Sequence, residues 1–291
     1  MQTVSTLVEL RLAVDDLRKS GTIALVPTMG ALHEGHLTLM REARARADHV
    51  VASIFVNPTQ FGPNEDLDAY PRRMAEDAAL LEAEGVALLW APTVDAMYPD
   101  GFATTISVSG VSEGLCGASR PGHFAGVATV VCKLFNQVRP DHALFGEKDW
   151  QQLAVIRAMA RDLDLTLPHV SNIHGVTTVR EADGLAMSSR NAYLSPDQRT
   201  AAVTLPRAMR AAIEDIEAGD DVAGALMRLH AALGEAGFGP IDYVTLADAS
   251  SLVPLAQAPD APARLLVAAR IGGTRLIDNM PVSPVKGEET Q

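Results

Sequence analysis

The first half of the chain alternates short apolar runs with longer amphipathic stretches, and this alternation restricts the possible folds more than any other feature. Runs such as "TIALV" and "HVVASIFV" are apolar enough for buried strands. Strands are predicted over residues 22–26, 49–56, 86–90 and 142–146, and helices over residues 35–48, 71–84, 126–138 and 149–163. Strands and helices in alternation are typical of a doubly wound parallel sheet with helices on both faces, so we predict an α/β fold.

The pattern changes near residue 176. A turn-rich "READG" leads to two long alanine-rich stretches, which favour helix, over residues 196–218 and 221–236. Strands are predicted near residues 241–247 and 264–271. We therefore predict a first domain over residues 1–176 and a smaller C-terminal α+β domain over residues 177–291, a division that suits a chain of this length.

Charge and cysteine content exclude several classes of function. The net charge of −12 argues against a general nucleic-acid binder, because binding along a duplex requires a basic surface. Cys116 and Cys132 are too few for a disulfide framework or a four-cysteine zinc site, so we expect a reducing, cytoplasmic location. No run of 18 apolar residues is present, so no membrane span is expected.

The stretch "PTMGALHEGH" lies between the first predicted strand and the helix that follows it. A glycine turn at a helix start lets backbone N–H groups point at an anion, and the helix dipole adds to the attraction. Gly30 permits the turn, and Gly35 leaves room for a ligand near the backbone. His33 and His36 share one helix face, where they can donate hydrogen bonds to phosphate. The stretch therefore predicts a phosphate-binding site.

Other interpretations of the two histidines remain. The stretch is neither a dinucleotide fingerprint nor a Walker loop, and it is not the H-E-x-x-H zinc motif. A zinc site would need a third and a fourth ligand, which this motif does not supply. The ordinary alternative is a pair of surface or core histidines at a helix cap.

Three further segments place polar side chains where they can converge with the histidines. Ligands of open parallel sheets bind at the carboxyl ends of the strands. Amides that follow the second strand can bind hydroxyls or a carboxylate, and a lysine after a later strand can meet phosphates. Hydroxyls and an arginine come from the start of the second half. These residues are Asn57, Gln60, Lys148, Ser188, Ser189 and Arg190.

Six segments together resemble one enzyme family. They are "PTMGALHEGH", "FVNPTQF", "RPGHFAGVATVV", "FGEKDWQQL", "GLAMSSRN" and "ARIGGTRLIDN", and they extend over nearly the whole chain. The HxGH element alone is shared by the wider nucleotidyltransferase group that includes class I aminoacyl-tRNA synthetases. In combination, the segments resemble the pantothenate synthetases, the pantoate–β-alanine ligases of coenzyme A biosynthesis.

The resemblance implies a Rossmann-like sheet and a two-step ligase reaction. Pantoate and ATP with Mg²⁺ would give pantoyl adenylate and pyrophosphate. β-Alanine would then attack the acyl carbon, forming pantothenate and releasing AMP. The resemblance also implies a homodimer and a flexible wall over the pocket from Gly62 to about Arg73.

The resemblance assigns roles residue by residue. His36 would be the family's proton donor, and the expected catalytic set is His36, His33, Lys148 and Arg190. Gln60 and Gln152 would bind pantoate, with Asn57 near the same pocket. ATP would contact Met29, Gly30, Ala31, Leu32, His33, Glu34, Gly35, His36, Gly146, Glu147, Lys148, Asp149, Val179, Met187, Ser188, Ser189 and Arg190. For His123 we expect a structural role, and for Arg120 a contact to phosphate or pantoate.

Three rival functions make different predictions. A nucleotidyltransferase that stops at the adenylate, or makes a CDP or dinucleotide product, would form AMP without depending on β-alanine. A nucleotide sensor would bind ATP and release no pyrophosphate. A tRNA-charging enzyme is disfavoured, because the acidic chain has no evident anticodon-binding surface.

Overall fold

The computed structural model describes residues 1–62, 65, 67 and 70–285 of the chain. They form two compact units. The first comprises Met1–Ser112 and Arg120–Val179, and the second comprises Glu113–Ser119 and the chain from Arg180 onward. The sequence predicts a domain boundary near residue 176. The expected flexible wall falls partly on Pro63, Asn64, Asp66, Asp68 and Ala69, which lie outside the described residues.

The first unit alternates strands and helices as predicted. In chain order its elements are β1 (Gln2–Val4), α1 (Leu7–Leu17), β2 (Ile23–Thr28), α2 (Glu34–Arg44), β3 (His49–Ile54), α3 (Met74–Ala83), β4 (Leu88–Trp90), α4 (Val94–Met97), α6 (His123–Val138), β5 (His142–Gly146), α7 (Trp150–Asp162) and β6 (Ile173–Val176). The short helix α5 (Cys116–Ser119) belongs to the second unit. Every strand and helix predicted in this half is present, with ends that differ by a few residues.

Within the described residues, six parallel strands form the sheet of this unit in the order β1-β4-β3-β2-β5-β6. The central strand β2 is apolar and nearly all buried, as expected for a strand with helices on both faces. The chain runs outward from β2 through β3 and β4, and then returns to β5 on the other side of β2. The α/β prediction with a Rossmann-like sheet is confirmed.

Buried side chains fix α2 and α3 against the sheet. Leu39, Met40 and Ala43 of α2 share a core cluster with Leu81 of α3 and with the strands β2, β3 and β4. The apolar positions of α2 recur at helical spacing, so one face of the helix is buried and the other stays polar. This packing fixes the helix start that carries the two histidines.

The second unit packs helices on an antiparallel sheet. Its elements after α5 are α8 (Pro196–Ala202), α9 (Thr204–Glu217), α10 (Val222–Glu235), β7 (Ile241–Asp248), β8 (Ala263–Ile271) and β9 (Thr274–Val282). The strand order is β7-β8-β9. Leu205, Met209, Ala212 and Ile216 recur at helical spacing along α9 and join the core under this sheet. The predicted smaller α+β domain is confirmed.

The helical stretch predicted over residues 196–218 is present, but it is divided into two helices. The structure ends α8 at Ala202 and begins α9 at Thr204. Pro206 lies in the first turn of α9, where its missing N–H group cannot donate to Ala202. The alanine-rich composition favours helix on both sides of this break but does not reveal it.

Some elements had no sequence prediction, among them β1, β6 and β9. The first two are short, and the third follows β8 after a two-glycine turn that was not recognised as a hairpin. Within the part of the chain that the structure describes, no helix has both the length and the apolar character needed to cross a membrane.

Candidate active site

The candidate site lies where the order of the parallel strands reverses, between β2 and β5. These strands are adjacent and parallel, with Ala24 opposite His142. The turn after β2 leads to His33, and the turn after β5 carries Lys148. Both turns therefore leave the same edge of the sheet, which is where doubly wound sheets bind their ligands.

His33 and His36 form a reciprocal cap at the start of α2. His33 Nδ1 accepts from the Gly35 N–H at 3.2 Å, and His36 Nδ1 accepts from the His33 N–H at 3.3 Å. The two ring centroids are 4.1 Å apart. Because each Nδ1 is an acceptor, each neutral ring carries its hydrogen on Nε2. The Nε2–H group of each ring is therefore a hydrogen-bond donor, while the Nδ1 atoms cap the helix.

His36 is held in its neutral form. Its pKa is lowered from 6.5 to about 3, because burial disfavours the cation and because a charged His36 would be repelled by the charged form of His33 and by Lys148, while Asp149 acts in the opposite direction. The family resemblance predicts that His36 donates a proton. At neutral pH the geometry instead presents a hydrogen-bond donor, and only a bound anion would favour the charged form.

Few backbone N–H groups of the turn are directed at a ligand, contrary to the expectation from the glycines. Several already donate to an acceptor within the described first unit. These are the N–H groups of Gly30, Ala31, Leu32, His33, Gly35, His36 and Leu37. The imidazole side chains therefore offer donors in a turn whose main-chain amides mostly have acceptors already.

Lys148 lies close enough to act electrostatically on His36. It sits in a single 3₁₀ turn, Glu147–Asp149, that follows Gly146 at the end of β5. Its Nζ atom is 3.1 Å from the Asp149 carboxylate, and its side chain is 19% exposed. The lysine is thus partly buried, which strengthens its interaction with an anion.

Val179 also lies near this helix start, within the first unit. A Cβ atom added at Gly35 would lie 3.9 Å from the Val179 side chain and 3.0 Å from the His33 ring. The glycine therefore lets the first turn of α2, the imidazole and Val179 approach one another closely.

The buried Asn57 side chain holds neighbouring groups in place through hydrogen bonds. It is only 1% exposed, and its Oδ1 atom accepts from the hydroxyls of Tyr98 at 2.8 Å and Thr59 at 2.9 Å. Its Nδ2 atom donates to Gln60 Oε1 at 3.1 Å and to the Gly126 carbonyl at 3.2 Å. Because Gln60 Oε1 is an acceptor, its Nε2 group is a donor, and it lies 3.0 Å from Met29 Sδ.

The motif "RPGHFAG" holds the backbone of Gln60. His123 Nδ1 donates to the Gln60 carbonyl at 2.9 Å, and His123 Nε2 accepts from Arg120 at 2.9 Å. Burial, then the positive charge of Arg120, lowers the pKa of His123 to about 4, so the ring is neutral. Arg120 also forms a bidentate pair with Glu65, with both N–O distances at 2.6 Å. Their positions agree with the structural role expected for His123.

Gly126 explains why this motif contains a second glycine. A Cβ atom at this position of α6 would lie 2.4 Å from the Thr59 carbonyl oxygen. Only glycine lets the turn Pro58–Gln60 rest directly on the helix backbone. The sequence did not reveal this contact, because it joins residues far apart in the chain.

Asp77 was missed by the sequence analysis. It is 2% exposed and accepts hydrogen bonds from the Ala31 and Leu32 N–H groups. An acidic residue in the first turn of a helix is ordinarily solvated, so its sequence position gave no signal.

Nearly the whole chain matches one family. The model for pantoate-beta-alanine ligase matches residues 2–281. The chain belongs to the pantoate-beta-alanine ligase family. A pantothenate synthetase of Novosphingobium aromaticivorans is 72% identical over 285 residues, which cover 98% of this chain and all of that protein. One of Shewanella amazonensis is 54% identical, with 97% and 100% covered.

Solved structures of the pantoate-beta-alanine ligase family agree with the fold. The pantothenate synthetase of Thermus thermophilus is 50% identical and has a TM-score of 0.90, with 98% of this chain and all of that one covered. The enzyme of Francisella tularensis, solved with βγ-ATP and β-alanine, is 33% identical and has a TM-score of 0.81, with 96% and 97% covered.

The predicted site residues Gln152 and Met187 to Arg190 lie outside the two turns that carry His33 and Lys148. Gln152 lies in the first turn of α7, directly after the Lys148 turn, and is partly exposed. Met187 to Arg190 belong to the second unit, where Ser188 caps a 3₁₀ helix, Ser189–Tyr193, by accepting from the Arg190 N–H at 3.3 Å.

Among the residues that the structure describes, no group of three or more His, Cys, Asp or Glu side chains could hold a metal ion.

Proposed function

We propose that the chain joins pantoate to β-alanine with ATP, through pantoyl adenylate, and releases pyrophosphate and AMP. Family membership and the Francisella tularensis relative, solved with βγ-ATP and β-alanine, support the ATP-dependent ligation. The observation that carries the mechanism is the arrangement of two Nε2–H imidazoles and Lys148 at the edge between β2 and β5.

In the first step, a carboxylate oxygen of pantoate bonds to the α-phosphorus of ATP, and the bond from that phosphorus to the bridging oxygen breaks. Negative charge then collects on the departing pyrophosphate, so the protein must supply alignment and positive potential. His33 and His36 would donate from Nε2 to the phosphate oxygens, and Lys148 would balance their charge.

The pantoate end would be bound by amides. Gln60 would donate from Nε2, because its Oε1 is already the acceptor for Asn57. Gln152 would contribute the second amide. We assign Asn57 to holding Gln60 rather than to binding pantoate, because its own polar atoms have partners inside the first unit.

In the second step, the neutral amine of β-alanine attacks the acyl carbon, the bond between that carbon and the adenylate oxygen breaks, and AMP leaves. The amine loses a proton as the amide forms. Val179 would contact the nucleoside from the first unit. Met187, Ser188, Ser189 and Arg190 remain predicted nucleotide contacts from the second unit.

Mg²⁺ would arrive with ATP. This ion prefers phosphate oxygens and water with only one or two carboxylates, which fits a chain whose described residues form no metal-binding cluster. Bound there, it would neutralise phosphate charge. The homodimer stays a prediction from the family resemblance, and the cytoplasmic location stays a prediction from the cysteines.

The test combines product analysis with an isotope label. The purified protein is incubated with ATP, Mg²⁺, β-alanine and pantoate carrying ¹⁸O in its carboxylate, and the products are identified by mass. We expect pantothenate, pyrophosphate and AMP that contains one ¹⁸O atom, because the attacking oxygen stays on phosphorus. AMP formation that does not depend on β-alanine would favour a nucleotidyltransferase. ATP binding without pyrophosphate would favour a sensor.

A further inference from the structure

Asp77 makes an unusual contact with the turn that precedes the histidines. It lies in the first turn of α3, yet its Oδ2 accepts from the Ala31 N–H at 2.9 Å and its Oδ1 from the Leu32 N–H at 2.8 Å. Two consecutive amides, 46 and 45 residues away in sequence, thus bind the two oxygens of one carboxylate. A bidentate arrangement fixes the orientation of the turn as well as its position.

The surroundings of this carboxylate leave it few other partners. Leu81, one turn further along α3, is fully buried in the core cluster, and Leu32 and Ala78 pack against that cluster. Among the described residues, no lysine or arginine forms an ion pair with Asp77. A buried carboxylate is retained at a high desolvation penalty unless hydrogen bonds offset it. The turn amides supply those bonds.

The turn needs such support, because its backbone conformation is unfavourable. Gly30 has φ +84° and Ala31 has φ +51°, so two consecutive residues lie in the left-handed region. Alanine adopts this region at a cost of about 1 kcal/mol, and such residues persist only where their surroundings hold them. A Cβ atom at Gly30 would also lie 3.0 Å from Asp77 Oδ2.

We infer that Asp77 is a positioning residue for the ATP site: its carboxylate holds the Gly30–Leu32 turn, and through it the cap that directs the imidazoles of His33 and His36. The residue after Leu32 is His33, so the direction in which the turn ends sets where α2 begins. This inference rests on the proposed function, in which the two imidazoles that Asp77 positions are the donors to phosphate.

The test is Asp77→Asn. Asparagine has a single acceptor oxygen, so one turn amide would face an NH₂ group instead of an acceptor. We expect ATP affinity, measured by calorimetry with ATP and Mg²⁺, to fall about tenfold to a hundredfold, the range for a lost hydrogen bond to a charged group. The KM for ATP should rise while the KM for β-alanine is unchanged. A purely structural role would not produce this split.

Two more variants make the result decisive. Leu81→Ala removes a buried side chain of the same helix, so it should lower the thermal midpoint and leave both KM values unchanged. Gly30→Ala places a Cβ atom against Asp77 Oδ2, so it disturbs the contact between Asp77 and the turn from the other side. It should raise the KM for ATP and leave the KM for β-alanine unchanged, and it keeps the test available if Asp77→Asn fails to fold. Wild-type ATP affinity in the folded variants of Asp77 and Gly30 would overturn the inference. If the wild-type protein forms no pantothenate, the proposed function fails, while the calorimetry still decides the role of Asp77.

Discussion

Substitution of His36 tests whether this imidazole acts as a hydrogen-bond donor or as an acid. Its pKa of about 3 and its Nδ1 acceptor bond leave a neutral ring with a hydrogen on Nε2. Glutamine can place an amide N–H near the same point but cannot deliver a proton, whereas alanine can do neither. The pair His36→Ala and His36→Gln therefore separates the two roles.

The size of the effect follows from the contacts. Loss of a donor to a leaving phosphate reduces the rate about a hundredfold to a thousandfold, or about 3 to 4 kcal/mol. The rate of His36→Gln should be about tenfold higher than that of His36→Ala, as expected for one neutral hydrogen bond. Alanine also removes the acceptor of the His33 N–H, so the free energy of unfolding should fall by about 1 kcal/mol.

The assay is pyrophosphate release in a single turnover, with thermal unfolding measured in parallel. Thr6→Ala is a matched control, because Thr6 forms the capping box of α1 and its loss also costs about 1 kcal/mol. This control should keep full activity. Equal stability losses with unequal rates would then locate the effect in the chemistry of His36.

The pH dependence gives the result that would refute the reasoning. The quantity kcat/KM for ATP reports groups of the free enzyme. A histidine with a pKa of about 3 is neutral from pH 5 upward, so the wild-type and His36→Gln profiles should have the same shape. An activity limb near pH 6.5 that disappears in His36→Gln, or a glutamine variant as inactive as alanine, would show that His36 acts as an acid.

Three more variants extend these tests. Lys148→Ala should slow pyrophosphate release about a hundredfold or more with little change in thermal midpoint, because its carboxylate partner is half exposed. The pKa values of His36 and His123 are lower in the folded chain than in the unfolded chain. As pH falls from 6.5 toward 4, the unfolded chain therefore binds more protons than the folded chain does. Urea unfolding should therefore show stability decreasing over this range, and His123→Asn should remove at most about 1.4 kcal/mol per pH unit of the slope. Gly126→Ala should lower stability by about 1 to 3 kcal/mol and raise the KM for pantoate more than that for ATP, because its Cβ atom would collide with Thr59.

The parallel sheet could be predicted because its signal is local. Each buried strand is an apolar run such as residues 22–26, and each helix repeats its apolar positions within a few turns. Parallel strands then bring their carboxyl ends to one edge, so "HEGH" and Lys148 could be placed together before any coordinates. The break at Val203 was missed because composition gives the preference for helix and not its ends.

The sequence by itself determined the alternation of strand and helix, the two units and the imidazole and lysine that face one edge. Only the tertiary structure decided what those groups can do. Asp77 meets Ala31 from 46 residues away, and Asn57 meets Gly126 from 69 residues away. Such contacts take up the turn amides and hold the Asn57 side chain that donates to Gln60. A pattern along the chain cannot contain them, because they depend on which distant atoms folding brings within hydrogen-bond distance.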